Sequence, residues 1–508
     1  MCYNKMIYFN VWKGTKMKRY LRILTFFMVL SLLLTVFIGC ERVDNTDDDD
    51  DYYEEEDDAY DYFPDIERKD YGEDLNFYIM GASNPPDYFL LADEEENDGS
   101  PMDEAVFNRQ EKVNKFLGIE IVLLKPTDNT SHTTYIKHVE NAIKNMDGTM
   151  EVLLTHVNGC VANLISDNYL LDLGEFEGID LEADYWNQEF MDDLEINGNY
   201  FLGLSDFNLL YTYVIAFNKD MLALYESHLD KSIYELVKER EWTLDEMISL
   251  SNLVYLDATG NGKSSDDTFG ITGCCWVSFC GFLTSSNIPM MSQNESGAYV
   301  IAINNDLNGD KADTLINKMR DLGASNNAFF DYDYSKLSVP ITGGRTLMQI
   351  CSTYNLPAYL DYNIEFGVIP FPMYDLDQAK VGYKSLQWGG YIGVLSYQKN
   401  AIKVAETLEL LAFFSENVKI TFYEKLLGKQ VADMPDDAAM LDIIWDSVAT
   451  DVGQTFVGAG TSSDRGVCYT VPELMWPSST QNLASFIKSK ESQINTGFKN
   501  FLDEIKSK

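Results

Sequence analysis

The stretch AVFNRQEKVNKFLGIEIVLL, Ala105 to Leu124, decides the fold class. Val106, Phe107, Val113, Phe116 and Leu117 fall at helical spacing on one apolar face, and Gly118 ends the helix because glycine enters the left-handed cap without strain. Ile119 to Leu124 then reads as a strand. On the N-terminal side, Leu75 to Gly81 is strand-like and runs into the turn-forming Asn84-Pro85-Pro86; on the C-terminal side, Thr134 to Met146 is helix-like and Met150 to His156 is an apolar strand. This β-α-β-α-β alternation builds a mostly parallel sheet covered by helices, whose ligands sit where strands end in loops. Asn84 and His156 occupy such ends and are candidate ligand contacts.

A second α/β region starts near Tyr211. Thr212 to Asp220 is a strand followed by a turn, and Thr243 with Glu246 three residues on forms a capping-box pattern that opens a helix. Further strands are expected at Thr346 to Cys351, Phe366 to Ile369 and Tyr391 to Leu395. The last third reads as helical at Ala401 to Phe414, Met440 to Ser447 and Asn482 to Ile505. No period of 20 to 50 residues recurs, which argues against a solenoid.

The 508 residues carry 81 Asp and Glu against 38 Lys and Arg, a formal charge of -43. Such a surface repels phosphate, so a nucleic-acid partner is not expected. The first 39 residues differ from the rest: Lys5, Lys13, Lys16, Lys18, Arg19 and Arg22 stand there with no acid. An apolar run from Ile23 to Ile38 follows and stops at Gly39-Cys40, the order of a secretory signal, with Met17 as an alternative start. Phe37-Ile38-Gly39-Cys40 is similar to a bacterial lipobox, which makes Cys40 the candidate lipidated first residue; an uncleaved anchor helix is the other reading. From Glu41 to Asp70 the chain is so rich in carboxylates that it reads as a disordered tether, reaching about 100 Å when stretched. A calcium-binding acidic tail is the sharper reading of that run, though nothing in it fixes a coordination geometry.

Chemical motifs are sparse. The four His residues show no H-E-x-x-H spacing, and the cysteines after the signal (Cys160, Cys274, Cys275, Cys280, Cys351, Cys468) form no C-x-x-C pair. Neither a metal site nor a catalytic set is nominated, and no cofactor is expected. A disulfide among those cysteines stays open. The turn Asp257 to Asp267 places oxygen-bearing side chains at Asp257, Thr259 and Asn261 with Gly262 sixth, like a calcium loop, but Thr268 stands where the bidentate Glu belongs. It reads as a polar turn.

Together these segments resemble the bacterial extracellular solute-binding proteins, the lipid-anchored receptors of ABC importers in the maltose-type group. The resemblance covers most of the chain after residue 71. It is carried by Tyr185-Trp186-Asn187 followed by NGNYFLGLSD (Asn197 to Asp206), AFNKD (Ala216 to Asp220), EWTLDEM (Glu241 to Met247), GGRTLM (Gly343 to Met348), FGVIPFP (Phe366 to Pro372), WGGYIGV (Trp388 to Val394) and LDIIWDS (Leu441 to Ser447), in that order.

The resemblance implies an α/β, two-lobed periplasmic-binding-protein-like fold with a cleft between the lobes and a helical C-terminal segment. It places the crossings near residues 209 to 213, 387 to 393 and about 437. The implied division is a signal peptide at 1 to 39, a tether at 40 to 71, a first lobe of 72 to 208 plus 394 to 436, and a second lobe of 209 to 393 plus 437 to 508. The implied function is capture of a small solute, a sugar or oligosaccharide foremost, and delivery to an ABC permease by a monomer anchored on the outer face of a Gram-positive cytoplasmic membrane. An exported glycan-active enzyme, or an adhesin or signalling receptor on the same scaffold, are the alternatives. Sugars present apolar faces to aromatic rings and hydroxyls to planar polar groups. Trp186, Tyr213, Trp276 and Trp388, in loops or near the crossings, are therefore the candidate stacking residues, and Arg345 a candidate donor.

Overall fold

Strand β1 (Glu73–Ile79) pairs in parallel with β2 (Ile119–Leu124), Leu75 opposite Ile121, and with β3 (Val152–His156), Phe77 opposite Val152. In the computed structural model the described residues are 63–79, 91–92, 99–124, 132–146, 148–156, 161–206, 208, 212–303, 309–362, 364–456 and 467–506. Every element below lies within Pro64–Lys508. The expected signal, Cys40 and residues 41 to 62 of the expected tether lie outside the described residues, whereas its last residues, 64 to 71, pack on the first lobe: Ile66 is buried, and Lys69 and Tyr71 both donate to Glu406. No helix among the described residues is long and apolar enough to cross a membrane.

Helix α1 (Pro101–Leu117) connects β1 to β2, and its ends follow from its sequence. Ser100 caps it by accepting from the Asp103 amide at 3.2 Å, Asp103 and Glu104 sit at the positive end of the helix dipole, and Gly118 at φ 58° closes it. Val106, Val113, Phe116 and Leu117 are buried as the spacing predicts, but Phe107 is 40% exposed: it sits one position off the buried stripe. Helix α2 (His132–Asn145) leads into β3. Helices α3 (Val161–Ser166) and α4 (Gln188–Leu194) complete this part of the first lobe, α4 capped by Asn187 accepting from the Phe190 amide.

The second lobe is built on a mixed sheet. Strand β4 (Tyr213–Asn218) is followed by α5 (Leu244–Ser251), β5 (Tyr255–Leu256), β6 (Thr268–Cys274), α6 (Cys275–Ser285) and the antiparallel hairpin β7 (Met291–Gln293) and β8 (Tyr299–Ile301). Then come α7 (Gly309–Ala324), β9 (Ala328–Asp331), α8 (Tyr334–Thr342), β10 (Thr346–Ser352), α9 (Leu356–Leu360) and β11 (Phe366–Ile369). The strand order is β11-β4-β10-β6-β5, with β9 also on β6. β6, β9 and β10 run parallel, whereas β4 runs antiparallel to both β10 and β11. Thr243 caps α5 by accepting from the Glu246 amide, as its sequence predicts.

The chain then returns. Strand β12 (Ser385–Leu386) precedes β13 (Gly389–Val394), which pairs antiparallel with β3 and gives the first sheet the order β13-β3-β1-β2. The chain thus passes from β12 to the first sheet over Gln387 and Trp388. Helix α10 (Ala401–Phe413) packs on α1; α11 (Glu416–Leu427) touches both α1 and α9; α12 (Pro435–Asp446) lies along β11. Strand β14 (Val448–Ala449) pairs with β12, and the long α13 (Leu483–Lys506) contacts β8 and also α3 of the first lobe, so the C-terminal helix, expected with the second lobe, touches both. One apolar cluster runs from Met102, Ala105 and Val106 of α1 through Val418, Phe422 and Leu426 of α11 to Val214, Ala216 and Val368 of the second sheet. At roughly 1.5–3 kcal/mol for each large side chain buried, this shared core fastens α11 between the lobes.

Two crossing segments run side by side. Gly203 and Ile392 exchange backbone hydrogen bonds of 2.8 and 3.0 Å at the first-lobe end, and Thr212 pairs with Gln387 at the second-lobe end, its Oγ1 donating to Gln387 Oε1 at 2.7 Å.

Candidate functional site

Because β6, β9 and β10 are parallel, Cys274, Asp331 and Ser352 end them at one edge of the second sheet, and Tyr213 opens antiparallel β4 there, opposite Ser352. A parallel sheet offers its ligand site at that carboxyl edge. Helices α6, α8 and α9 start just beyond it. Between them lies a cavity of about 340 Å³ whose walls include Tyr213, Tyr334, Tyr354, Tyr359 and Tyr362. Tyr213 and Tyr359 are buried and form the floor; Tyr334 (65% exposed) and Tyr362 (40%) stand at the rim.

Amides and small apolar groups fill the rest of the wall: Gln349, Asn355, Val277, Leu337 and Ile350. No charged side chain lines it among the described residues. Asn355 Oδ1 accepts from the Ser352 amide at 3.3 Å and from Ser352 Oγ at 2.8 Å, which fixes the turn between β10 and α9. Gln349 accepts from Thr272 Oγ1 and donates to Ile350 O at 2.7 Å, so its amide is held in place. Cys274 and Cys351 also face the cavity. Burial pushes the Cys351 thiol up to about 12, with the Tyr359 hydroxyl as its hydrogen-bond partner, and pushes Cys275 up to about 12 as well. Both stay protonated at neutral pH, and a protonated thiol is a weak nucleophile.

An aromatic group adjoins this edge. Trp276, in the first turn of α6, lies 6.3 Å from Tyr332 between ring centroids, and Tyr332 meets Trp476 edge to face at 4.7 Å. Tyr332 is 44% exposed. Of the sequence candidates, Tyr213 lines the cavity, while Trp276 stands at the same edge of the sheet, at the start of α6, beside Tyr332 and off the described cavity wall.

The other candidates fall elsewhere. Trp186 is fully buried in the first lobe, where its Nε1 donates to Glu409 Oε2 at 2.9 Å. Trp388 is buried at the crossing between β12 and β13. Arg345 precedes β10 and so stands at the opposite, amino edge of the sheet from Ser352, and it is not on the described wall of the cavity. Its guanidinium donates to Val339 O at 3.2 Å and Ser265 O at 3.4 Å, tying α8 to the turn before β6. His156 ends β3 with its backbone opposite Gly389. Asn84 and the His156 imidazole lie outside the described residues, as do 80–90, 125–131 and 157–160, into which the first-lobe strands lead.

Tyr334, Tyr354, Tyr359 and Tyr362 escaped the sequence reading. The signal that could have found them is TYNLPAYLDY, Thr353 to Tyr362, which puts three tyrosines directly after the end of a parallel strand.

The turn at Asp257 is closed by its own backbone. Asp257 accepts from the amides of Gly260 at 2.6 Å, Gly262 at 3.0 Å and Thr259 at 3.3 Å, which hold its carboxyl below the ordinary carboxylate range. Buried Asp267 accepts from the Ser264 and Ala258 amides, and Lys263 donates to Gly323 O and Ser325 O. These oxygens are already engaged by the polypeptide. Cys274, Cys275 and Cys351 are buried free thiols.

No family model matches the chain, and no curated protein matches it in sequence. Among solved structures, the maltose-binding periplasmic protein MalE from Listeria monocytogenes, in complex with maltose, is similar over 86% of this chain and 97% of its own, with a TM-score of 0.50 at 12% identity. The maltose/maltodextrin-binding domain MalE from Bdellovibrio bacteriovorus, bound to maltotriose, aligns over 85% of this chain and 99% of its own, with a TM-score of 0.47 at 13% identity. The Listeria likeness shows the fold: the chain has the two-lobed α/β fold of a periplasmic binding protein.

Proposed function

We propose that this chain is an extracellular solute-binding protein that captures a neutral carbohydrate at the tyrosine-lined edge of its second lobe and hands it, unaltered, to an ABC-type importer. The observation that carries the reading is the cavity itself, ringed by Tyr213, Tyr334, Tyr354, Tyr359 and Tyr362 with no charged side chain on its described wall. Rings pack against the C–H faces of a sugar, while phenolic hydroxyls and the Asn355 and Gln349 amides suit its hydroxyls. The absence of charge on that wall favours a neutral ligand over an amino acid or a phosphate ester, whose charges would be buried without partners there. The same wall offers no carboxylate pair for glycoside hydrolysis.

The remaining parts of the proposal rest on the sequence. The basic, apolar, Gly-Cys order of residues 1 to 40 supports export and lipid anchoring at Cys40 on the outer face of the cytoplasmic membrane, and the acidic run after it supports a tether. A permease partner and a monomeric state follow from the resemblance to importer receptors. The experiment that tests the function is a thermal-shift screen with neutral mono- and oligosaccharides, maltotriose among them, against sugar phosphates and amino acids. Stabilisation by a neutral sugar alone supports the reading; stabilisation only by charged solutes sinks it. For the anchor, Cys40→Ala expressed with its signal should leave the membrane fraction.

A further inference from the structure

We propose that Cys274 and Cys351 are a disulfide-forming pair in the wall of the tyrosine-lined cavity, and that oxidation of this pair weakens solute capture. The effect on capture rests on the function proposed above, whereas the pairing stands on the geometry of two strands.

The two cysteines are neighbours across adjacent strands. β6 and β10 run parallel with Met348 opposite Ile271 and Gln349 opposite Thr272, and the same register, carried two residues on, sets Cys351 opposite Cys274. Neither strand has ended there: β6 still pairs with β9 at Cys274 and Asp331, and β10 still pairs with β4 at Cys351 and Val214. The step before holds the strands close, since a Cβ on Gly273 would lie 3.0 Å from Ile350 Cβ. Adjacent strands stand about 4.8 Å apart, inside the roughly 4.4–6.8 Å that a disulfide spans between Cα atoms.

Both side chains share one face. Successive residues alternate faces along a strand, so Cys274 and Cys351 fall on the side of Thr272 and Gln349, where Thr272 Oγ1 donates to Gln349 Oε1. That side is the cavity side, because Gln349, Cys274 and Cys351 all line it. Both cysteines are buried, so the cavity is the route by which a small reagent reaches them. The neighbouring thiols are turned elsewhere. Cys275 opens α6 hydrogen-bonded to the Tyr332 hydroxyl, just past the end of β9, and Cys280 lies inside α6 and off the described cavity wall.

The reaction is thiol–disulfide exchange with a small organic disulfide as the oxidant. Cys274 Sγ, as thiolate, attacks one sulfur of the reagent and expels the other half, which takes up a proton and leaves as a thiol. Cys351 Sγ then attacks the Cys274 sulfur, expels the second half as a thiol, and closes the bond. Two protein thiols lose two electrons and two protons, and the reagent gains both. Cys351 resolves rather than starts the exchange, because the Tyr359 hydroxyl holds it and burial pushes it up to about 12; closure is therefore slow at neutral pH and faster in alkali. An exported chain meets oxidising conditions. Closing the bond takes the Cys351 sulfur away from Tyr359, whose ring lies in the floor of the cavity.

The test treats the purified full chain with 2-hydroxyethyl disulfide at mildly alkaline pH and maps its peptides by mass spectrometry before and after dithiothreitol. The pair predicts a linked Cys274–Cys351 peptide that dithiothreitol separates, kept in Cys275→Ser and absent in Cys351→Ser. A Cys351 that stays reduced, carries only the reagent, or links to Cys275 or Cys280 overturns the pairing. If a variant does not fold, the map of the parent chain decides alone. Maltotriose is then titrated into the oxidised and reduced forms: affinity should fall roughly two- to tenfold on oxidation, the scale of one aromatic contact, and return on reduction. Equal affinities overturn the effect on capture. Peptide mapping needs no sugar, so a failure of sugar capture is read apart from a failure of the pair.

Discussion

The Trp186 indole donates to Glu409 Oε2 at 2.9 Å inside the first lobe, and Tyr185 donates its hydroxyl to the other oxygen of the same carboxylate. Burial raises the Glu409 carboxyl above its ordinary value, and these two donors pull it back. The pair anchors the segment before α4 to α10. Replacing Trp186 by Phe should destabilise the protein by about 1–3 kcal/mol, the range for stranding a buried acceptor, and replacing it by Ala by about 3–5 kcal/mol. Both variants should bind solute with parental affinity once folded; denaturant unfolding and calorimetric titration check the two halves.

At the cavity the expectation reverses. Tyr334 is largely solvent-exposed, so removing its ring should leave the melting temperature nearly unchanged. Tyr334→Ala or Tyr354→Ala should weaken binding by about 0.5–1.5 kcal/mol, roughly two- to tenfold in Kd, the scale of one aromatic contact. Titration calorimetry with the best neutral sugar measures it.

A pH dependence is built into the junction of α4, the β7–β8 hairpin and β14. Asp193 and Asp451 line a cavity of about 240 Å³ there with Asp192, Glu195, Tyr299 and Lys384. Burial pushes Asp451 up to about 7 against the pull of the Gly453, Met291 and Met290 amides, and pushes Asp193 up to about 6 against the Thr450 amide. Both values are raised above those of the unfolded chain, so the native state holds these protons more tightly. Their contribution is complete below the unfolded value and is lost as pH rises through 6 to 7. Scanning calorimetry should show the melting temperature falling between pH 5 and pH 8, and Asp451→Asn should flatten that fall.

The Asp257 turn should be indifferent to calcium. Its carboxylate is held by the amides of Thr259, Gly260 and Gly262, and Lys263 reaches over to Gly323 and Ser325. Melting temperatures in calcium and in chelator should coincide; a rise with calcium that Asp257→Ala abolishes would refute this.

Much of the fold was legible because its strands and amphipathic helices carry strong periodicities. Gly118 ends α1 and Thr243 opens α5 as their residue types require. Where burial is complete, the pattern vanishes. Helix α6, CWVSFCGFLTS, is buried on nearly every side, so it shows neither a polar face nor a helical period. The exchange of segments between lobes is implied only by the resemblance and by no local pattern, because β13 pairs with β3 across more than two hundred residues and no local signal encodes such a pairing. Strand-end logic points to Asn84 and His156, whose side chains lie outside the described residues; Tyr213 and Trp276 are nominated as aromatics in loops or near the crossings, and an aromatic type alone cannot separate them from Trp186, whose indole answers a buried carboxylate.

The central claim is capture of a neutral sugar without chemistry, and equilibrium titration of the purified protein with a panel of neutral oligosaccharides, followed by chromatography of the recovered sugar, tests it most directly. The account predicts saturable one-to-one binding of at least one oligosaccharide, weakened by Tyr354→Ala, with the sugar recovered intact. Cleaved sugar, or no binding by any neutral oligosaccharide, would contradict it.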